Sequence, residues 1–233
     1  TPLPSGYTLV SITDTSGNTS DGIVAVTSGG TFNVYVTNKQ VSAQLIVIKH
    51  VINNNGGDNV ASDFTINVTG TNVSDTSFLG DENGTAVTLD ASSYSVDEDS
   101  VSGYTKSLSQ DCSGTIAFGQ TKTCTITNND VGPTITLIKN VINDNGGNAG
   151  VNNFGLSVGG IGVSSGQTIE VDANTSVAIN EAGLTGYEFV SITGEGCPTQ
   201  LGGTVTLDEG ESVTCTITND DIAPSITLIK EVI

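Results

Sequence analysis

The sequence predicts an all-β protein made of tandem two-sheet sandwiches of about 90 residues each. Three observations carry that expectation. The first is that the chain repeats itself. Thr-Ile-Thr-Asn at 125–128 recurs at 216–219, with a looser Tyr-Val-Thr-Asn at 35–38, so Asn38, Asn128 and Asn219 are spaced by 90 and 91. Val-Ile-Lys-His-Val-Ile-Asn at 47–53 returns as Leu-Ile-Lys-Asn-Val-Ile-Asn at 137–143 and as Leu-Ile-Lys-Glu-Val-Ile at 228–233. Its lysines, Lys49, Lys139 and Lys230, keep the same spacings, and a Gly-Tyr pair stands at 6–7, 103–104 and 186–187. The second observation is a hydrophobic period of two between turn residues. The third is composition: Thr, Val, Ile, Ser, Asn and 29 glycines dominate, as in secreted β proteins.

The landmarks divide the chain into four stretches. Residues 1–42 read as the closing strands of an incomplete sandwich, 43–133 and 134–224 as two full repeats, and 225–233 as the opening strand of another. Repeats this long are domain-sized, each able to bury a modest core. Along a repeat, the opening strand puts Ile135, Leu137, Lys139 and Val141 on one face, as Leu45, Val47, Lys49 and Val51 do one repeat earlier. Phe64, Ile66 and Val68 alternate with polar neighbours, matched by Phe154, Leu156 and Val158. Tyr94, Val96 and Glu98 share a face, as do Val177, Ile179 and Glu181. The closing strand sets Cys124, Ile126 and Asn128 opposite Thr125 and Thr127. About seven short strands per repeat, divided by Asn-Gly-Gly and Ser-Gly turns, predict a sandwich. By parity, each full repeat therefore turns a lysine, a glutamate and an asparagine inward, where an unpaired charge is seldom tolerated.

These residues resemble the CnaB/SpaA-type, prealbumin-like (transthyretin-like, Ig-like) domains of bacterial and archaeal pilins and surface adhesins. That family carries a lysine on the first strand, a glutamate before a Gly-Tyr pair, and an asparagine in a closing Val/Ile-Thr-Asn. The matching residues are Lys49, Glu98 and Asn128, then Lys139, Glu181 and Asn219. The resemblance implies an isopeptide bond: the lysine amine attacks the asparagine carboxamide and ammonia leaves. Burial favours the neutral, nucleophilic amine and a neutral carboxyl able to polarise the amide, which suits a single-turnover acid–base step. A hydrogen-bonded cluster that never reacts remains the alternative. The family's usual proline near the glutamate is absent from both repeats, and Leu3-Pro4-Ser5-Gly6 is not an LPxTG signal.

Cys112 and Cys124 fall in one full repeat and Cys197 and Cys215 in the next. Three connectivities are formally possible, and the repeat favours pairing within each domain, in an oxidising, extracellular compartment. No metal site is expected, because the cysteine spacings are long and the one histidine, His50, lies outside them. The loops 53–58 and 143–147 have a calcium-loop look but lack the carboxylates, and read as glycine-rich turns; no cofactor is implied. Asn18, Asn67, Asn72, Asn83 and Asn174 stand in Asn-x-Ser/Thr sequons, candidate glycan sites of a secreted glycoprotein.

With 25 acidic residues against six lysines and no arginine, the formal charge is −19 and nucleic-acid binding is excluded. No apolar run is long enough for a membrane span, and without methionine the chain reads as a processed product or a segment of something longer. No turnover-enzyme fingerprint is present, although abundant carboxylates leave a glycosidase pair open. The favoured reading is a structural subunit of an extracellular, cell-surface filament or pilus. Ile226, Leu228, Lys230 and Val232 of one subunit would complete the N-terminal sheet of a copy of itself, head to tail, by donor-strand complementation. The alternatives are a spacer in a long tandem-repeat adhesin or a carbohydrate-binding module, although the latter would offer tryptophan and the chain has none.

Overall fold

A computed structural model describes residues 3, 6–13, 28–29, 31 and 33–232. It shows two compact units, one drawn mainly from residues up to 128 and the other mainly from residue 129 onward, with Ile52–Asp58 and Ser102–Thr105 grouped in the second. Among the described residues no helix is long and apolar enough to cross a membrane.

The first strands are β1 (Tyr7–Thr13) and β2 (Tyr35–Gln40), which form a two-stranded antiparallel ribbon. The first full repeat follows as β3 (Ala43–Ile52), β4 (Thr65–Thr69), β5 (Ser77–Leu79), β6 (Thr85–Leu89), β7 (Ser92–Glu98), β8 (Tyr104–Leu108), β9 (Ser113–Ile116) and β10 (Thr121–Asp130). Its strands form two sheets, ordered β6-β3-β10-β8 and β5-β4-β7-β9. The second repeat contains β11 (Thr134–Ile142), β12 (Gly155–Val158), β13 (Ile161–Val163), β14 (Thr168–Glu170), β15 (Val177–Ala182), β16 (Tyr187–Thr193), β17 (Thr204–Val205) and β18 (Ser212–Asp221). Its sheets are β14-β11-β18-β16 and β13-β12-β15-β17. Each full repeat thus has eight strands, one more than expected, because short edge strands such as β5 and β13 add a fourth member to a sheet.

The predicted faces are the buried ones. Leu45, Val47, Ile66, Val96 and Ile126 are at most 1 % exposed, and the second core repeats them with Ile135, Leu137, Leu156, Ile179 and Ile217. Each such side chain contributes about 1.5–3 kcal/mol on leaving water, and the alternating threonines on the opposite faces leave each sheet one wet side. The first and last strands of a repeat are sheet neighbours. In the second repeat they run parallel, with Leu137 opposite Cys215, Lys139 opposite Ile217 and Val141 opposite Asn219. That pairing brings lysine and asparagine together although about 80 residues separate them.

The ribbon repeats the β16–β18 pairing in detail. Tyr7, Leu9 and Ser11 stand opposite Gln40, Asn38 and Thr37, as Tyr187, Phe189 and Ser191 stand opposite Asp221, Asn219 and Thr218. Both pairings carry an irregularity at the same place, within an identical Val-Ser-Ile-Thr at 10–13 and 190–193. The surroundings differ. Val36 is 57 % exposed where its counterpart Ile217 is 0 %, and Leu9 is 48 % exposed where Phe189 packs partly buried against the core. Residues 222–232 join no sheet, and Ile226, Leu228 and Val232 stand nearly fully exposed, with Lys230 exposed beside them.

Candidate functional site

Each full repeat closes one lysine, one glutamate and one asparagine inside its sandwich. Lys49 comes from β3, Asn128 from the adjacent β10, and Glu98 from β7 in the facing sheet; all three are at least 96 % buried. Lys139, Asn219 and Glu181 occupy the same places on β11, β18 and β15, each at least 94 % buried. The lysines are inward because their strands alternate strictly, and the fold accommodates them with aromatic and anionic partners. Lys49 Nζ lies 4.1 Å from the centre of the Phe64 ring, and Lys139 Nζ 4.4 Å from that of Phe154.

The polar wiring differs between the two. In the first repeat Lys49 Nζ is 3.2 Å from Glu98 Oε2 and donates to the His50 main-chain oxygen at 3.2 Å, while Asn128 Nδ2 donates to Glu98 Oε1 at 2.7 Å. Glu98 therefore bridges the amine and the carboxamide nitrogen. In the second repeat Lys139 Nζ is 3.0 Å from Glu181 Oε2 and donates directly to Asn219 Oδ1 at 2.7 Å and to the Ile217 main-chain oxygen at 3.2 Å. Burial holds both lysine amines below their ordinary value of 10.5, against the pull of the glutamates upward. The arrangement brings an amine, a carboxamide and a carboxyl group together inside the core of each repeat.

Two disulfides lie within the repeats, Cys112–Cys124 and Cys197–Cys215, with Cα–Cα separations of 4.5 and 5.8 Å. The Asn-Gly-Gly loops are more than turns. Each wraps a buried aspartate that sequence reading passed over. Asp130 accepts the main-chain N–H groups of Asn54, Asn55 and Gly57 at 2.8–3.0 Å, and Asp221 those of Asp144, Asn145 and Gly147. A Cβ on Gly57 or Gly147 would collide with that aspartate and with Tyr104 or Tyr187, which is why the second glycine of each loop is needed. The Gly-Tyr tyrosines close the loops by donating to Asn53 and Asn143. The signal was present as an aspartate two residues after each core asparagine, on the same strand face. On the calcium reading, Asp144, Asp220 and Asp221 have oxygens within 4.8 Å of one another, and the corresponding residues of the first repeat are Asn54, Asn129 and Asp130.

His50 is exposed and pairs with Glu82 at 2.9 Å. Of the sequons, Asn18 lies outside the described residues. Asn67, Asn72, Asn83 and Asn174 donate from Nδ2 to Asp99, Asp90, Asp81 and Glu209. Lys230, Ile226, Leu228 and Val232 make no cluster of their own and stay in the exposed segment.

The prealbumin-like fold domain family matches residues 40–129 and again 130–217, three quarters of the sequence. The chain belongs to that family. The two matches meet at the last residue of β10; the first contains Lys49, Glu98 and Asn128, and the second contains Lys139 and Glu181 and ends two residues before Asn219. Among solved structures, the major pilin of Streptococcus pyogenes aligns over 78 % of this chain and 98 % of its own, at 13 % identity and a TM-score of 0.32. The Bacillus anthracis TIE protein aligns over 95 % of this chain and 41 % of its own, at 13 % identity and 0.47. A C-terminal fragment of the pilus adhesin SpaC from Lactobacillus rhamnosus GG aligns over 79 % and 100 %, at 14 % and 0.36. No curated protein sequence matches the chain.

Proposed function

We propose that this prealbumin-like chain is a structural subunit of an extracellular, cell-surface filament of the pilus kind, locked internally by two Lys–Asn isopeptide bonds. The observation that carries the lock is the geometry at Glu98, whose two oxygens touch the attacking amine and the departing amide nitrogen. Lys49 Nζ bonds to Asn128 Cγ, the Cγ–Nδ2 bond breaks, and a proton passes through the Glu98 carboxyl to Nδ2, which leaves as ammonia. Lys139, Glu181 and Asn219 would do the same. Each bond forms once, so this is self-modification and not turnover.

Tension explains why such a lock matters. β11 and β18 are parallel neighbours, so pulling on the two ends of the repeat shears their whole ladder. A bond between Lys139 and Asn219 would carry that load across the strand pair and relieve everything between them, including the Cys197–Cys215 disulfide.

Assembly would be head to tail. Residues 225–233, Ser-Ile-Thr-Leu-Ile-Lys-Glu-Val-Ile, repeat the β11 sequence Thr-Ile-Thr-Leu-Ile-Lys-Asn-Val-Ile, and the β1–β2 ribbon repeats the pairing of the β18–β16 edge against which β11 lies. By that equivalence Leu228 of one copy would stand opposite Val34 of the next, Lys230 opposite Val36 and Val232 opposite Asn38. The same equivalence supports a second reading, a spacer within a longer adhesin, where the partners belong to one continuous array. Filament growth of the isolated chain separates the two. Removal of 225–233, or Leu228→Asp, should leave short or no fibres; fibres of normal length from either variant would refute strand donation. Glycans on Asn67, Asn72, Asn83 or Asn174 would fit the same surface setting, and peptide mapping of native material checks them.

A further inference from the structure

The first repeat contains a group beside its cluster that the second lacks. Lys106 on β8 reaches across from the sheet that holds β3 and β10 to the end of β7, in the other sheet. There its Nζ donates to the Glu98 main-chain oxygen at 2.7 Å and to Asp97 Oδ1 at 2.6 Å, with the side chain 28 % exposed. Glu98 is the last residue of β7, and its pairing with Ile66 ends the regular β4–β7 ladder, with one further main-chain bond from Asp99 N–H to the Thr65 oxygen at 3.0 Å. Counting from the Gly-Tyr pairs and from the glutamates, the second repeat has Phe189 where Lys106 stands and Asn180 where Asp97 stands. Phe189 is a partly buried member of the apolar core there.

That difference matches the difference in wiring. Lys139 already touches the Asn219 carboxamide, whereas in the first repeat the amine and the carboxamide meet through Glu98. We propose that Lys106 is a positioning residue for isopeptide formation in the first repeat, tying the Glu98 main chain at the end of β7 to β8 of the facing sheet. This rests on the cross-linking reading. Lys106 is neither bonded nor consumed: Nζ of Lys49 joins Cγ of Asn128, ammonia departs, and the proton travels through Glu98, whose backbone Lys106 holds. The charged groups around Lys49 are Glu98, Glu82 and Lys106. The two carboxylates favour the ammonium and Lys106 disfavours it, in the same direction as burial.

The test uses the full chain made by cell-free synthesis, with each repeat's bond followed in time by mass mapping of its own peptides. Lys106→Met keeps the stem without the charge, and Lys106→Arg keeps both donors. Lys106→Met should slow bond formation in the first repeat about tenfold, the cost of a modestly misplaced reacting group, and move its rate–pH profile to higher pH. The second repeat should react at the wild-type rate in the same molecules, hydrogen exchange of the first repeat should show that it has folded, and Lys106→Arg should restore its rate. An unchanged first-repeat rate in Lys106→Met, or no rescue by arginine, would overturn the role of Lys106. No bond in either repeat of the wild-type chain would instead overturn the cross-linking reading beneath it.

Discussion

The two buried clusters contain the same three residue types on the same three strands, yet they are wired differently. In the first, the glutamate stands between lysine and asparagine; in the second, the lysine reaches the asparagine carbonyl directly. The lesson is that strand parity fixes which groups are enclosed, while their neighbours decide how they meet. The first cluster has the extra tie from Lys106, and the second has Phe189 in that place. The ribbon offers the complementary contrast, because it keeps the pairing and irregularity of β16–β18 without their burial. Pairing register is local to two strands; burial needs the rest of the sandwich.

The comparison can be broken most forcefully by removing one amine at a time. Lys49→Met or Lys139→Met removes the cross-link and leaves the buried glutamate without the lysine nitrogen as its partner, which should cost the affected repeat about 3–5 kcal/mol. Thermal unfolding with repeat-specific hydrogen exchange should show the loss confined to the mutated repeat; equal losses in both would mean that the clusters are not independent.

Next in size are the disulfides. Replacing either pair by serines should cost about 3 kcal/mol in chemical denaturation. The bridges close segments of 12 and 18 residues, so the second should be worth more by about 0.4 kcal/mol on chain-entropy grounds. A clear reversal of that order would show that native-state packing, and not loop closure, dominates.

Phe64→Leu and Phe154→Leu remove a ring from above each lysine nitrogen and should each cost about 1–2 kcal/mol from lost packing. Parallel losses in denaturant titrations would confirm that this support is shared by both clusters.

The smallest effects are in pH. Because burial lowers both lysine values, the neutral amine becomes abundant as pH rises through a point below 10.5, and bond formation should accelerate and level off before that pH. A rate still climbing at pH 10.5 would contradict it. On the acid side, burial pushes the Asp221 carboxyl up, and the backbone N–H groups of Gly147, Asn145 and Asp144 together outweigh it and hold the carboxyl below its ordinary value. A depressed carboxylate contributes stability that is complete above the unfolded value and is lost as pH falls through the folded one. Asp221→Asn should therefore lower stability at neutral pH and flatten its decline below about pH 4, read by thermal unfolding across pH.

Most of the fold was legible because period-two alternation and a 90-residue repeat are both written in side-chain type. The inward direction of Lys49, Glu98 and Asn128 followed from counting along each strand. The closing cysteines could be paired because each couple falls inside one repeat. Other features depend on distances that no strand count contains. Asp130 and Asp221 lie just past the last core asparagine, and only the folded loop reveals that their partners are main-chain N–H groups of Asn-Gly-Gly. Lys106 carried no sequence signal of its place, since its target is a backbone oxygen in the opposite sheet. The orientation of the Asn128 amide, which separates the two clusters, depends on packing at the scale of one rotation. The short strands β5 and β13 were missed because three residues give too little alternation to read.

The central claim is covalent, and intact-mass measurement of the purified full chain under denaturing conditions tests it most directly. The account predicts the mass of the sequence less the hydrogens of two disulfides and less two ammonias, one from each repeat. A mass short of the sequence by the disulfide hydrogens alone would contradict it.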